Sequence, residues 1–161
     1  MLKEKRNTKR VLLISSAGGH LAEILALKEL REKYKHLIVT EDVETTRSLS
    51  KSYNIHYIRP DIEGRSFRYY INVFINIFLS IKILRSFRPT IIITTGSHTA
   101  IPMCVLGFIL RIKVVYILSY ARVNTKARSA SFIHPLSNIF IVQWESAQKL
   151  YSKSIYKGSL F

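Results

Sequence analysis

His20 is the side chain whose sequence neighbours best suit it to chemistry. It ends the segment 15–20, SSAGGH, which follows four apolar residues and precedes a helix-like pattern. Imidazole exchanges a proton near neutral pH, so His20 could accept the proton of a hydroxyl nucleophile. The alternatives are that His20 hydrogen-bonds an anion such as a diphosphate, or only caps the helix.

Gly18 and Gly19 precede this histidine where a strand is expected to turn into a helix. Glycine permits a tight turn and lets backbone N–H groups approach an anion, which the positive end of the helix also attracts. The segment is neither G-x-G-x-x-G nor a P-loop, so dinucleotide and nucleoside triphosphate binding are poorly supported. The alternative is a structural turn that only starts a helix.

Three further side chains are candidates for the same site. His98 follows a glycine in ITTGSHTAIP and either contacts a ligand or caps a loop. Arg122 lies in a segment with few competing charges and suits a phosphate or a partner carboxylate, unless it is simply solvated. Glu23, three residues after His20, either orients that imidazole or favours the first helical turn electrostatically.

Short β-rich runs alternate with helical stretches along the whole chain and would position these residues. Continuous apolar runs such as VLLI, IIIT and VVYIL indicate strands that are covered on both faces. The pattern predicts an α/β Rossmann-like fold with a mostly parallel, doubly wound sheet, in one domain spanning 1–161. The expected strands are 10–15, 36–40, 55–58, 90–94, 113–118 and 139–142; the expected helices are 21–34, 45–53, 67–85, 100–110 and 146–151.

The charge of the chain is strongly positive and unevenly distributed. There are 25 Lys and Arg against 10 Asp and Glu, and no carboxylate occurs between Glu63 and Glu145, where ten of the cations lie. This imbalance favours an anionic partner, unless it only reflects a generally basic proteome. The chain has one cysteine, Cys104, which fits a reducing cytosol. No spacing of cysteines and histidines is typical of a zinc site, and no metal or other cofactor is expected.

An aromatic segment provides the expected contact with a membrane. Residues 69–81 carry no charge but are too few to span a bilayer, and Asn72, Asn76 and Ser80 form one polar stripe. Aromatic bulk bracketed by cations is typical of an interfacial helix, whereas the alternative is a helix that covers the sheet. The residues assigned to the membrane are Tyr69, Tyr70, Phe74, Phe78, Arg65, Arg68, Lys82 and Arg85.

Five ordered motifs together resemble one protein family over nearly the whole chain. They are SSAGGH, ITTGSHTAIP, SYARV, IFIVQW and YKGSLF. The family is that of the membrane-anchor subunit of the two-part N-acetylglucosaminyltransferase of asparagine-linked glycosylation, and the bacterial relatives from capsular and exopolysaccharide clusters look closer. The resemblance implies the N-terminal half of a GT-B glycosyltransferase, which holds a lipid-linked acceptor while a separate chain holds the nucleotide sugar.

The resemblance also assigns residues to roles. Many relatives have Glu where this chain has Leu118, and an acidic residue where it has Asn138. Binding of the acceptor and its diphosphate falls to Gly18, Gly19, Gly96, Ser97, His98, Ser119 and Arg122, with His20 as the possible base. The expected interface with the partner chain includes Trp144, Lys157, Gly158 and Phe161, because a GT-B enzyme would continue there into its second domain.

The function expected from the sequence is that of a peripheral protein on the cytoplasmic face of the membrane. The apolar run after the basic N-terminus is too short for a signal peptide, and the N-terminal membrane helix of the eukaryotic subunit has no counterpart here. The chain would bind a polyprenyl-diphosphate-linked sugar acceptor and an anionic membrane surface, and would be inactive without its partner. The alternative is a self-sufficient small glycosyltransferase; nucleic-acid binding is disfavoured because the aromatics do not interleave with the basic residues.

Overall fold

The computed structural model describes residues 9–61 and 67–160. Within these residues seven parallel strands form one sheet in the order β3-β2-β1-β4-β5-β6-β7. This architecture confirms the expected Rossmann-like, doubly wound fold. The strands are β1 Arg10–Ile14, β2 Lys35–Glu41, β3 Ile55–Ile58, β4 Ile91–Thr94, β5 Lys113–Ile117, β6 Ile139–Val142 and β7 Ile155–Tyr156.

Seven α-helices connect the strands in the part of the chain that the structure describes. They are α1 Gly19–Ala26, α2 Lys28–Lys33, α3 Glu44–Arg47, α4 Phe67–Phe87, α5 Ile101–Ile109, α6 Arg128–Ile133 and α7 Glu145–Gln148. Short 3-10 turns at Ser48–Lys51, His98–Ala100 and His134–Leu136 extend three of these connections.

The strand order reverses between β1 and β4, and this reversal places the site. Leu12 of β1 pairs with Leu37 of β2 on one side and with Ile92 of β4 on the other. The loops leaving β1 and β4 then run to opposite faces and leave a crevice at the carboxyl edge of the sheet, where ligands bind in such folds.

Two apolar clusters cover the two faces of the sheet. On one face α4, α5 and α6 pack on β-strand residues such as Leu12, Val114 and Tyr116. On the other face α1 and α2 pack on Val11, Leu13 and their neighbours. Burial on both faces explains why the central strands are continuous apolar runs rather than alternating ones.

Several sequence-based expectations were wrong. The helix expected over 146–151 ends three residues earlier, as α7. The helix expected over 21–34 is two helices, because Leu27 leaves the helical region with ψ 49° and its N–H bonds the carbonyl of Ile24. The helix expected over 45–53 is α3 followed by a 3-10 turn. The helix α6 and the two-residue strand β7 were not expected at all.

Candidate functional site

A cleft of about 510 Å³ opens at the carboxyl edge of the sheet. The segments that follow β1, β3, β4 and β5 line it, together with Glu41 at the end of β2. The structure brings together five of the residues singled out from the sequence: His20, Ser97, His98, Ser119 and Arg122. They come from three loops, and they meet because each follows a strand of the same parallel sheet.

The glycine turn holds His20 at the start of α1. Gly18 has a φ of 77°, a conformation that favours glycine, and its carbonyl accepts the N–H of Ala22. Thr95 Oγ1 donates to the His20 carbonyl at 2.8 Å, which ties this turn to the end of β4. No atom lies within 4 Å of a Cβ built at Gly18 or Gly19, so the turn presents open backbone beside the cleft.

Gly96 lies under the imidazole and has no room for a side chain. Its φ is 116°, and a Cβ would stand 2.6 Å from Tyr116 Oη and 3.3 Å from His20 Cε1. Tyr116 is buried and stacks on Phe140 at 4.9 Å, so its hydroxyl cannot easily withdraw. Burial raises the pKa of the Tyr116 phenol, which therefore stays protonated at the floor of the cleft.

Glu23 is buried beside His20 and joins α1 to the loop that follows β5. Its Oε1 accepts the hydroxyl of Ser119 at 2.9 Å and the N–H of Tyr120 at 2.6 Å. Its Oε2 lies 3.7 Å from His20 Nδ1. The burial of Glu23 and its position beside Nδ1 agree with the interpretation in which it orients His20.

Glu41 is a site residue that the sequence analysis missed. This buried carboxylate at the end of β2 accepts the N–H of Ala17, the N–H of Asp61 and the hydroxyl of Thr99. It therefore joins the glycine turn to the loops after β3 and β4. The signal in the sequence was an acidic residue at the end of an apolar strand, which is costly to bury unless it is hydrogen-bonded.

Three cations and a histidine–carboxylate contact both line the cleft. Arg122, Lys126 and Arg128 are exposed along the cleft in the segment without carboxylates. Arg122 Nη1 donates to Thr125 Oγ1 at 3.4 Å, a long contact that leaves most of the guanidinium available. His98 Nδ1 lies 3.7 Å from Asp61 Oδ2. An anionic group is thus favoured beside the three cations.

The outward face of α4 is apolar and its polar stripe points inward. Asn76 is buried and exchanges two 2.9 Å hydrogen bonds with the backbone of Arg59, and Asn72 donates to the carbonyl of Pro60. The exposed side is therefore aromatic, with Phe74 exposed by 62% and Phe78 by 57%. The whole of α4 is long and apolar enough to cross a membrane. The sequence analysis had excluded a spanning helix because it considered only the uncharged residues 69–81.

The other residues assigned to the membrane occupy different places. Tyr70 is exposed, and Tyr69 is half-buried in a groove shared with Asn72 and His98. Arg68, Lys82 and Arg85 are exposed on α4, as is Phe67. Arg65 lies outside the described residues.

The two C-terminal motifs differ in burial: IFIVQW is largely internal, whereas the described residues of YKGSLF are largely exposed. Gln143 is buried, donates to the carbonyl of Leu118 and accepts the N–H of Leu160. Trp144 Nε1 donates to the carbonyl of Tyr120 and the two rings pack at 4.7 Å, so Trp144 supports the loop that carries Arg122. Lys157 and Gly158 are exposed next to β7, and Phe161 lies outside the described residues.

The two departures from the family pattern differ in position. Leu118 is buried in the cleft wall. Asn138 lies at the opposite edge of the sheet, where its Oδ1 accepts the N–H of Val114 at 2.8 Å. Asn138 therefore helps to pair β5 with β6 and is remote from the cleft.

Comparison with known proteins identifies a family and a fold. Residues 11–160 match the family described as "Oligosaccharide biosynthesis protein Alg14 like". The human UDP-N-acetylglucosamine transferase subunit ALG14 is 26% identical over 182 residues, covering 96% of this chain and 84% of that protein. The protein of the same name from Candida albicans is 28% identical over 169 residues, covering 92% and 76%.

Solved structures share the fold at low sequence identity. MurG of Acinetobacter baumannii superposes with a TM-score of 0.75 at 14% identity, covering 94% of this chain and 45% of that one. Anabaena HepE in complex with UDP and glucose gives a TM-score of 0.64 at 13% identity, covering 93% and 43%. The chain thus spans slightly less than half the length of these solved proteins.

Proposed function

Because the chain belongs to the Alg14-like family of oligosaccharide biosynthesis proteins, we propose that it is the acceptor-binding subunit of a two-component glycosyltransferase. Its eukaryotic relatives are named as subunits of a UDP-N-acetylglucosamine transferase, and we extend that donor to this chain. A separate chain that resembles the C-terminal half of a GT-B enzyme would bind the nucleotide sugar.

One observation carries this proposal: the polar cleft and the apolar helix adjoin. Asp61, His98 and Thr99 line both the cleft and the groove along the inner side of α4. A lipid-linked acceptor needs this combination, since its diphosphate and sugar require polar contacts while its chain stays in the bilayer. The diphosphate would lie between the Gly18–Gly19 turn and the cations that begin with Arg122.

We infer the orientation on the membrane from the same arrangement. The aromatic face of α4 would lie in the headgroup boundary, with Lys82 and Arg85 on anionic lipids. The Asn72 and Asn76 side holds the helix to the protein, which favours a peripheral helix over a spanning one. We place this surface on the cytoplasmic face, where nucleotide sugars are available.

His20 would act as the general base of the transfer. Its exposed side faces the cleft, where an acceptor hydroxyl can approach. The hydroxyl proton moves to the imidazole while the oxygen bonds to the anomeric carbon of the sugar, and the nucleoside diphosphate leaves with the electrons of the broken bond. We propose that this transfer takes place in surface polysaccharide synthesis.

Reconstitution on vesicles tests the division of labour. The chain, its partner and the mixture are each assayed with UDP-N-acetylglucosamine and a polyprenyl-diphosphate-linked sugar. We expect transfer only when both chains are present. Transfer by this chain without the partner would instead support a self-sufficient glycosyltransferase, and no transfer by the mixture would refute the assigned donor and acceptor.

Kinetics of His20→Ala on the reconstituted pair separate the two roles of the imidazole. Loss of a general base lowers kcat by roughly 10²–10⁴-fold with little change in the acceptor KM. Loss of a diphosphate ligand raises KM and leaves kcat nearly unchanged. Unchanged kinetics would remove His20 from the site.

A further inference from the structure

Two buried polar atoms face each other beneath the cleft without a hydrogen bond. They are Nδ1 of His20 and Oε2 of Glu23, 3.7 Å apart, and neither has another partner among the described residues. Polar atoms are rarely buried unpaired, and such an atom points to a functional constraint. The separation exceeds a hydrogen bond by less than an ångström, which a small rotation of either side chain removes.

The rest of the Glu23 carboxylate is firmly held. Its Oε1 accepts two hydrogen bonds, from Ser119 Oγ and from the N–H of Tyr120, on a loop 96 and 97 residues away in sequence. The same loop carries Arg122, and Trp144 supports it from behind. With Oε1 bonded to this loop, Oε2 faces the imidazole and lies 3.7 Å from Nδ1.

The imidazole is also fixed on its other side. Gly96 lies against its Cε1 edge, and Thr95 bonds its carbonyl. Since Nδ1 is buried against Glu23, the exposed third of the side chain is the part that includes Nε2. The two ring nitrogens thus face different surroundings: one faces a carboxylate, the other faces the cleft.

We infer that Glu23 is a positioning residue that holds His20 in the tautomer with the proton on Nδ1. This inference rests on the proposed role of His20. A carboxylate accepts but does not donate, so it selects the Nδ1–H form and leaves the Nε2 lone pair directed into the cleft. When Nε2 takes the hydroxyl proton, the same carboxylate stabilises the imidazolium.

Glu23→Gln is the discriminating variant because it replaces the carboxylate oxygen that faces Nδ1 with an amide nitrogen, which donates, and keeps the size and shape of the side chain. The glutamine carbonyl can still accept from Ser119 and Tyr120, while its amide then donates towards Nδ1 and forces the proton to Nε2. We expect kcat of the reconstituted pair to fall by roughly 10²–10⁴-fold with little change in the acceptor KM. Glu29→Gln, on the exposed side of α2, is the matched control and should behave as wild type.

Nitrogen-15 NMR of His20 gives a readout that does not depend on activity. In the wild-type chain we expect a protonated Nδ1 and an unprotonated Nε2, and in Glu23→Gln the reverse. Ser119→Ala removes one hydrogen bond to Oε1 but keeps the carboxylate, so it should retain the wild-type tautomer.

The outcomes separate this inference from the proposed function. A wild-type His20 protonated on Nε2, or a folded Glu23→Gln with unchanged tautomer and kcat, would overturn the role of Glu23 even if His20→Ala is inactive. If Glu23→Gln does not fold, the wild-type spectrum alone decides. Full activity of His20→Ala would refute the base itself, whatever the tautomer.

Discussion

The aromatic face of α4 allows a quantitative test of membrane binding through Phe74→Glu combined with Phe78→Glu. The two rings pack edge to face with centroids 4.9 Å apart, and they are exposed by 62% and 57%. A phenylalanine presents about 200 Å² when fully exposed, so each ring would remove about 120 Å² from water on insertion. At ~25 cal/mol per Å² this is about 3 kcal/mol for each ring.

The double variant should therefore lose a large part of the apolar binding energy of this face, to which the exposed Phe67 and Tyr70 also contribute. Loss of about 6 kcal/mol corresponds to roughly four orders of magnitude in the partition coefficient, and shallow insertion still leaves a fall of at least about 100-fold. The new carboxylates add repulsion from anionic headgroups. Raising the salt concentration with the wild-type chain should release it only in part, because salt screens Lys82 and Arg85 but not the aromatic contact.

Co-sedimentation with vesicles that contain anionic lipid measures the effect. The matched control is Thr45→Glu with Ser52→Glu, which adds the same charge at exposed positions of the β2–β3 connection, away from α4. The control should bind nearly as well as wild type. If the folded phenylalanine variant sediments as strongly as the control, α4 is only a cover for the sheet and the assigned membrane surface is wrong.

Four further perturbations address the cleft and the partner. Gly19→Val should raise the acceptor KM sharply while the fold persists, since open space surrounds this position; an unchanged KM would exclude diphosphate binding at the turn. Gly96→Ala should lower Tm, because its Cβ would meet Tyr116 Oη at 2.6 Å on a backbone with positive φ; an unchanged Tm would contradict this packing. Glu41→Ala leaves three donors without their acceptor and should reduce the free energy of unfolding by at least about 3 kcal/mol in urea titrations. A reduction below about 1 kcal/mol would mean that water replaces the carboxylate. Deleting residues 157–161 should abolish co-purification with the partner chain and leave vesicle binding intact, whereas retained co-purification would move the interface elsewhere.

The strands could be predicted closely because burial on both faces leaves a simple signal. The bounds of β1 to β6 agree with the expected ones to within one residue at each end. The strand β7 has no such signal, since it exists through the pairing of Ile155 with Ile141 and Tyr156 with Val142. The helix α6 is six residues long and is stabilised by Ala130 and Ile133 in the core, which a helical period cannot show in so short a segment.

The position of the cleft could be predicted from the sequence, but the hydrogen bonds within it could not. Residues that follow parallel strands must meet at one edge, and this rule alone brings His20, Ser97 and Ser119 together. The hydrogen bonds of the two buried glutamates could not be inferred, because their donors lie far away in the chain. Thr99 is 58 residues from Glu41, and Tyr120 is 97 residues from Glu23.

The rotation of α4 about its axis explains why an apolar surface is exposed beside the cleft. Amphipathic helices usually turn their polar side to water, so the stripe that includes Asn72 and Asn76 would be expected outside. The segment after β3 reverses this preference, because the backbone N–H and C=O of Arg59 and the C=O of Pro60 find their partners in those two side chains. A hydrogen bond of this kind contributes about 0.5–1.5 kcal/mol net, and turning the stripe outward would sacrifice three such part-buried bonds. The hydrogen bonds of the polar stripe therefore hold Phe74 and Phe78 outward. The exposed aromatic face, which we propose binds the membrane, is a consequence of these internal bonds.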